Sequence, residues 1–429
     1  MNLVRKLIFF LLFYIPLEEF ILKWLPVSVD VYNYFLFLSD GIILVIIFIY
    51  ITKKRFVLPW KTENIYFFLF IFFSFFSLLY YESWSPYLFK IWVLCRYILV
   101  FFIVRAVFRL EDFFKFQHYF ILIFFIQLIV GLVQITNFPF LYDLFLPRSD
   151  LSKGANWLLK EETGMAGTFS YTVHYGFFMY VFCFFISLSN LKRNKKILLM
   201  FLALVLSLFS DSRIAFILTF FIFIFYFYLS YKTLLLYFVL GFFILPVIFF
   251  SEYLIDKITP LLAILDLFSY EFINRSIMFS RVGILKLIPL FFNNDLFTIL
   301  FGFSLDGTVL TTFINQSMGS EIPHVLSNNA VIGIEDVYWV AHLYYFGLFG
   351  VVFYLMIFMH LKRSFKRING NYINLKMINF FISLTLISAF VNQVFSFKPF
   401  VFYFFFVIAF LLKKLKTNDK NINLNKSSF

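Results

Sequence analysis

The sequence predicts an all-α fold, a polytopic transmembrane bundle that forms a single integral membrane domain over residues 1–429. Three observations lead to this prediction. The chain is 62% hydrophobic and only 14% charged, which is too apolar for one soluble core of this length. It contains a series of apolar stretches near the length of about 20 residues that a membrane-spanning helix needs. Its basic residues cluster between alternate stretches, as in multi-pass membrane proteins.

Apolar length and the intervening polar breaks predict about twelve membrane-spanning helices. The seventh segment is short, and we expect it to form a tight pair with the eighth around Asp211-Ser212-Arg213. The twelve segments are 7–25, 33–51, 65–81, 86–104, 117–135, 173–189, 197–210, 214–230, 233–250, 337–360, 377–395 and 399–412.

Basic clusters orient these helices, because Lys and Arg in short loops concentrate on the cytoplasmic side. With both termini in the cytoplasm, the clusters share one face: Arg5-Lys6, Lys53-Lys54-Arg55, Arg105 with Arg109, Lys192-Arg193 with Lys195-Lys196, Lys362-Arg363 with Lys366-Arg367, and Lys413-Lys414. The net charge of +13 is therefore a consequence of topology. It does not indicate a nucleic-acid partner, which would need a folded basic surface.

Two external loops are long on this topology, one over residues 136–172 and a larger one over 251–336. We expect short helices lying at the membrane interface within the larger loop. That loop carries four basic and nine acidic residues, so its net negative charge does not favour phosphate binding in general. Any anion site there must rest on particular arginines. The polar cytoplasmic tail, 413–429, is predicted to be disordered.

Several motifs are absent, and their absence narrows the chemistry. The sequence has no Asp-x-Asp pair, no phosphate-binding loop ending in Gly-Lys-Ser/Thr and no His-Glu-x-x-His. The two cysteines, Cys95 and Cys183, lie inside predicted spans and suggest no disulfide framework or zinc site. We therefore expect no metal and no cofactor.

External arginines are the candidate binding residues, because a guanidinium group stays charged and forks onto phosphate oxygens. Arg213, Arg281, Arg275 and Arg148 are candidates for contacting the pyrophosphate of a lipid-linked substrate. The alternative for Arg213 is anchoring at lipid headgroups, and the alternative for Arg281 is a surface-lying amphipathic helix whose basic residues touch those headgroups. Asp336, before the tenth helix, and His324 are candidate bases for a sugar hydroxyl, although helix capping also explains an acid at that position.

Ionisable residues inside predicted spans form a separate signal. Glu18-Glu19 in the first segment and Arg96 in the fourth are costly in hydrocarbon unless they are paired or face water. A structural Glu–Arg pair is one interpretation, and a proton relay in a transporter is the other. His174 and His342 are expected to be polar residues satisfied within the bundle.

Four stretches together resemble a known family. They are GTFSYTVHYGFF at 167–178, SDSRIAFILTF at 210–220, SRVGILKLIPLFFNNDLFTILFGFSLDG at 280–307 and EDVYWVAHLYYFGLFGVVFY at 335–354. In order and spacing they resemble four elements of the bacterial O-antigen polymerase and O-antigen ligase superfamily. These elements are a Gly-Thr-Phe element, a Ser-Arg turn, an arginine followed by an interfacial helix, and an acidic helix start followed by Gly-x-x-Gly. One departure is Met165-Ala166, where that family often has an arginine.

The resemblance implies a metal-independent glycosyltransferase of the bacterial inner membrane. It would polymerise undecaprenyl-pyrophosphate-linked oligosaccharide repeat units at the periplasmic face. Its expected partners are membrane lipid, a flippase and a chain-length regulator protein. Arg213 and Arg281 would contact pyrophosphate, and Asp336 would act as base or acceptor-binding group. The alternatives are an O-antigen ligase that transfers glycan to lipid A-core, and a polysaccharide-lipid transporter or flippase.

Overall fold

The computed structural model describes residues 1–23, 37–54, 62–76, 84–109, 111–136, 165–169, 171–210, 212–230, 287–303, 337–366, 372–390 and 392–426. Within these ranges the regular structure is entirely helical. The helices are α1 Asn2–Lys23, α2 Leu38–Lys54, α3 Thr62–Ser74, α4 Trp84–Val107, α5 Glu111–Thr136, α6 Thr172–Ser187, α7 Arg193–Leu208, α8 Arg213–Ser230, α9 Leu287–Phe291, α10 Leu296–Phe301, α11 Tyr338–Lys366, α12 Tyr372–Ser388 and α13 Lys398–Lys426, with a 3-10 turn at Val394–Ser396.

The described parts of the predicted apolar segments fall mostly on these helices. Segment 233–250 lies wholly outside the described residues, and 7–25, 33–51, 65–81 and 377–395 lie partly outside them. By length and composition, three of the described helices can cross a membrane: Glu111–Ile135, Arg213–Ser230 and Tyr338–Lys366. These features are those of a helical membrane protein.

Helix α6 and the part of α13 up to Leu415 form the centre of the bundle and are buried on almost every face. Aromatic rings fill the space around them. The rings of Phe184 and Phe381 stack at 3.8 Å between centroids, and those of Phe124 and Phe182 at 4.1 Å. The abundance of Phe therefore serves packing in this part of the chain, where flat rings stack closely.

Helix α1 contains Pro16, which has no backbone N–H to donate to the carbonyl of Leu12 four residues earlier. The hydroxyl of Tyr403 on α13 donates to that carbonyl instead. A hydroxyl from the central helix thus satisfies the polar group that the proline leaves free, as a buried backbone requires.

The bundle has two ends with different chemistry. Helices α2, α6, α8, α11 and α13 begin at one end, which we call the site end, and α1, α5, α7 and α12 begin at the other, which we call the basic end. Ring contact between His174 and Phe397 joins the starts of α6 and α13 at the site end. A hydrogen bond from Lys413 Nζ of α13 to the carbonyl of Arg105, at 3.1 Å, joins α13 to the end of α4 at the basic end.

The C-terminal segment differs from its prediction. Helix α13 continues to Lys426, so most of the tail expected to be disordered is helical. The buried Leu415 carries the packed surface of α13 past its apolar segment. Because adding residues to an existing helix costs far less than nucleating one, a polar extension of a packed helix can remain helical.

Candidate functional site

Arg213 is the one predicted site residue that lies within the described parts of the chain. It is the first residue of α8, and its side chain is exposed at the site end. The tight α7–α8 pair expected around it is confirmed, with a turn between Leu208 and Arg213. Arg148, Arg275, Arg281, His324 and Asp336 lie outside the described residues.

The Gly-Thr-Phe element is a buried non-helical segment, residues 165–169, that precedes α6. Two glutamines of α5 satisfy its backbone. Gln134 Oε1 accepts from the N–H groups of Ala166, at 3.0 Å, and Gly167, at 2.8 Å, while its Nε2 donates to the carbonyl of Gly167 at 2.8 Å. Irregular backbone is tolerated at membrane depth only when such partners exist.

Gln127, two turns earlier on α5, holds the next residue of this segment. Its Oε1 accepts from the N–H of Thr168 at 2.8 Å, and its Nε2 donates to the Thr168 hydroxyl at 2.5 Å. The Thr168 hydroxyl in turn donates to the carbonyl of Pro16 on α1. The segment is therefore fixed to both α5 and α1.

Gly167 adopts a φ of +60°, and a Cβ there would lie 2.2 Å from Gln127 Oε1. A side chain would be strained by the backbone and excluded by the glutamine. This position of the Gly-Thr-Phe element consequently requires glycine.

The Gly-Thr-Phe segment contacts the turn that carries Arg213. The N–H of Met165 donates to the carbonyl of Phe209 at 2.8 Å. Gly176 of α6 packs so closely on this turn that a Cβ would lie 2.5 Å from Ser210 Oγ and 2.8 Å from Ala215 Cβ. Two sequence elements of the resemblance therefore meet, and Arg213 stands at their junction.

The other two elements also meet each other. Gly302, after α10, and Gly347, within α11, have φ values of +85° and +64°. A Cβ on Gly347 would lie 2.5 Å from the backbone nitrogen of Gly302, and the N–H of Phe303 donates to the carbonyl of Tyr344 at 2.8 Å. Helix α11 is broken at Gly347, and the end of α10 fits against the break.

Two buried ion pairs lie towards the site end. Arg96 of α4 pairs with Asp40 of α2, which also accepts from Trp92 Nε1 at 3.1 Å. Glu18 of α1 pairs with Lys398 Nζ at 2.7 Å and accepts from Ser39 Oγ at 3.1 Å. The predicted Glu–Arg pair is thus wrong in its partners, because Arg96 bonds to Asp40 and Glu18 bonds to Lys398.

These pairs balance two carboxylates against two cations and connect α1, α2, α4 and α13. Their arrangement favours the structural interpretation, since each buried charge has its counter-charge. Asp40 precedes Arg96 by 56 residues along the chain. Apolar length does not reveal such a pairing, so sequence reasoning missed Asp40 and Lys398.

His342 departs from its expectation. It lies buried in α11, with its ring 5.5 Å from that of Phe70 and 5.4 Å from that of Tyr338. Its Nε2 has no hydrogen-bond partner among the described residues. The expectation of a fully satisfied polar residue is therefore wrong for this nitrogen.

Within the described ranges, no three His, Cys, Asp or Glu side chains come together as a metal site would require. Comparison of the chain with protein-family models, curated proteins and solved structures finds no match.

Proposed function

We propose that this chain is a multi-pass protein of the bacterial inner membrane, with about twelve spans, that polymerises undecaprenyl-pyrophosphate-linked oligosaccharide repeat units. Its products would be O-antigen or a related surface polysaccharide, made at the periplasmic face. The proposal includes catalysis without a metal, in keeping with the missing nucleotide-sugar and metal motifs of the sequence.

The distribution of charge between the bundle ends supports this orientation. Arg5, Arg105, Arg109, Lys192 and Lys413 all lie at the basic end. The positive-inside rule assigns such an end to the cytoplasm. Arg213 then faces the periplasm, where lipid-linked repeat units are displayed in the proposed reaction.

The observation that carries the proposal is the pairing of the four elements that resemble the polymerase family. The Gly-Thr-Phe segment contacts the Ser-Arg turn, and the Gly302 turn contacts the Gly-x-x-Gly of α11. These contacts join elements separated widely along the chain. In each pair a glycine excludes any side chain at the point of contact, which gives the motif positions a physical reason.

In the proposed reaction, Arg213 holds pyrophosphate oxygens of the donor lipid through charge-assisted hydrogen bonds. The bond between the sugar anomeric carbon and the phosphate oxygen breaks, and the guanidinium stabilises the charge on that oxygen. The acceptor hydroxyl forms the new glycosidic bond and gives its proton to Asp336 or His324. Arg281, Arg275 and Arg148 are the further candidates for the pyrophosphate.

Replacement of Arg213 tests the assignment in cells. We expect Arg213→Ala to shorten the surface glycan to single repeat units at normal protein level, and Arg213→Lys to restore it only in part, because lysine lacks the planar fork. Arg193→Ala is the matched control. Arg193 is also an exposed arginine that begins a helix, but α7 starts at the opposite end of the bundle.

The same glycan profile separates the alternatives. Loss of a ligase would leave long polymer on the lipid carrier and none on lipid A-core. Loss of a transporter would retain repeat units on the cytoplasmic face. Normal long-chain glycan from Arg213→Ala would overturn the role of Arg213.

A further inference from the structure

The basic end contains two lysines that approach the same turn from different helices. Lys414 Nζ of α13 donates to Asn190 Oδ1 at 3.0 Å and lies 3.9 Å from the centre of the Phe113 ring. Lys196 Nζ of α7 donates to the carbonyl of Ser187 at 3.4 Å. Both ammonium groups thus lie beside the α6–α7 turn, residues 188–192.

These two cations oppose one another electrostatically. Burial first, and then the charge of Lys196, lower the pKa of Lys414 to about 8. Burial also lowers the pKa of Lys196. Both lysines lie beyond the apolar segments of their helices, and their repulsion is therefore a property of the membrane-surface region.

No carboxylate among the described residues lies within ion-pair distance of Lys414 or Lys196. The acidic residue closest in sequence to Phe113 is Asp112, which pairs with Arg5 at 3.4 Å and accepts from the N–H of Arg109 at 2.8 Å. Among the described residues, a neutral oxygen of Asn190 accepts from Lys414 and a neutral oxygen of Ser187 accepts from Lys196. Half-buried charges of one sign are costly without an anion.

The adjacent surface suits a lipid rather than a free anion. Lys192, Arg193 and Lys195 are exposed beside the turn. On the same face of α7 as Lys195, Leu198 is 58% and Phe201 38% exposed, spaced at one helical turn each. An acyl chain lying along this outer stripe of α7 would end beside Lys195 and the α6–α7 turn, where the phosphate headgroup would meet the exposed basic residues.

We propose that Lys196, Lys414 and the α6–α7 turn bind the phosphate of an acidic phospholipid at the basic end of the bundle. Basic pockets between helices on the cytoplasmic side commonly recognise such headgroups. The site is separate from Arg213, at the opposite end, and does not depend on the proposed glycosyltransferase activity.

The test titrates the purified full chain in neutral detergent with phosphatidylglycerol, phosphatidylcholine or inorganic phosphate, and follows the thermal unfolding midpoint. We expect saturable stabilisation by phosphatidylglycerol alone. Each lysine near an anionic lipid is worth about 1 kcal/mol, so Lys196→Gln with Lys414→Gln should weaken the apparent affinity roughly 30-fold. The double variant Lys196→Arg with Lys414→Arg keeps both charges and should retain the preference for phosphatidylglycerol. It controls for misfolding caused by replacing the two lysines.

Lys115→Gln is the matched control, since it removes one exposed positive charge from α5 at the same end. It should change the apparent affinity by less than about twofold, because solvent and salt screen an exposed charge. An unchanged phosphatidylglycerol response in the double Gln variant would overturn the proposal. Equal stabilisation by phosphatidylcholine, or by inorganic phosphate, would also overturn it.

Discussion

The side chain of Gln134 bonds both backbone groups of Gly167, accepting from its N–H at 2.8 Å and donating to its carbonyl at 2.8 Å. One amide side chain thus replaces the partners that a helix would have supplied. This contact permits a non-helical segment to lie buried between α1, α5 and α6. It also fixes the segment that reaches the Arg213 turn through Met165.

Gln134→Leu should destabilise the protein strongly. It keeps the approximate side-chain volume but leaves the N–H groups of Ala166 and Gly167 and the carbonyl of Gly167 unpaired. Each unsatisfied buried group costs about 1–3 kcal/mol. Gln117→Leu, which removes one 3.3 Å bond to the exposed Asn190, is the control. The thermal unfolding midpoints of the two purified variants are compared. Equal midpoints for Gln134→Leu and Gln117→Leu would contradict the structural role of Gln134.

Gly347→Ala should displace α10 from the break in α11. A Cβ there would lie 2.5 Å from backbone atoms of Leu300 and Gly302, and φ is +64°. Backbone strain of this kind costs about 1–3 kcal/mol before the clash is counted. Gly41→Ala is the matched control, because a Cβ at that helical glycine meets nothing within 4 Å. Limited proteolysis near residue 302 should increase for Gly347→Ala and stay unchanged for Gly41→Ala.

Asp40→Asn should leave Arg96 as an uncompensated buried charge. Breaking a buried pair by removing one partner costs about 3–5 kcal/mol, whereas replacing both partners with apolar residues is often neutral. Asp40→Leu combined with Arg96→Met should therefore be more stable than Asp40→Asn. Unfolding midpoints of the two variants provide the comparison.

The glycan profile of the double variant distinguishes the two roles of this pair. A structural pair predicts normal long-chain glycan once stability returns. A stable double variant that retains repeat units on the cytoplasmic face would instead support the proton relay of the transporter alternative.

Lys414 should make stability depend on pH in a defined window. Its pKa falls from 10.5 to about 8 on folding. Between these values the unfolded chain binds the proton and the folded chain releases it, so stability rises as pH increases from about 8 towards 10.5. In detergent without acidic lipid, the midpoint gain between about pH 7.5 and 9.5 should be larger for the wild type than for Lys414→Gln. An identical midpoint gain in the wild type and in Lys414→Gln would exclude Lys414 as the source of the pH dependence.

Apolar length predicted the helices well. Segment 117–135 lies within α5, and the short seventh segment forms a tight pair with the eighth, which begins at Arg213. Each such helix depends on the transfer of its own apolar residues from water into the membrane, and so a single sequence is enough to predict it. The continuation of α13 to Lys426 was missed, because polar composition does not report the packing at Leu415.

Long-range polar pairing was not predictable in the same way. Glu18 and Lys398 lie at opposite ends of the chain, and Gln127 and Gln134 read as polar interruptions of an apolar helix. Their partners are defined only when the helices pack together. The role of Arg213 remains a prediction. Arg148, Arg275, Arg281, Asp336 and His324 lie outside the described residues and also remain predictions.

The most direct test of the proposed function uses the purified full chain in liposomes with a labelled undecaprenyl-pyrophosphate-linked repeat unit as sole substrate. We predict a ladder of products with two or more repeats, release of undecaprenyl pyrophosphate, and the same ladder in the presence of a chelator. A folded, lipid-reconstituted protein that leaves the repeat unit as a monomer would contradict the polymerase account.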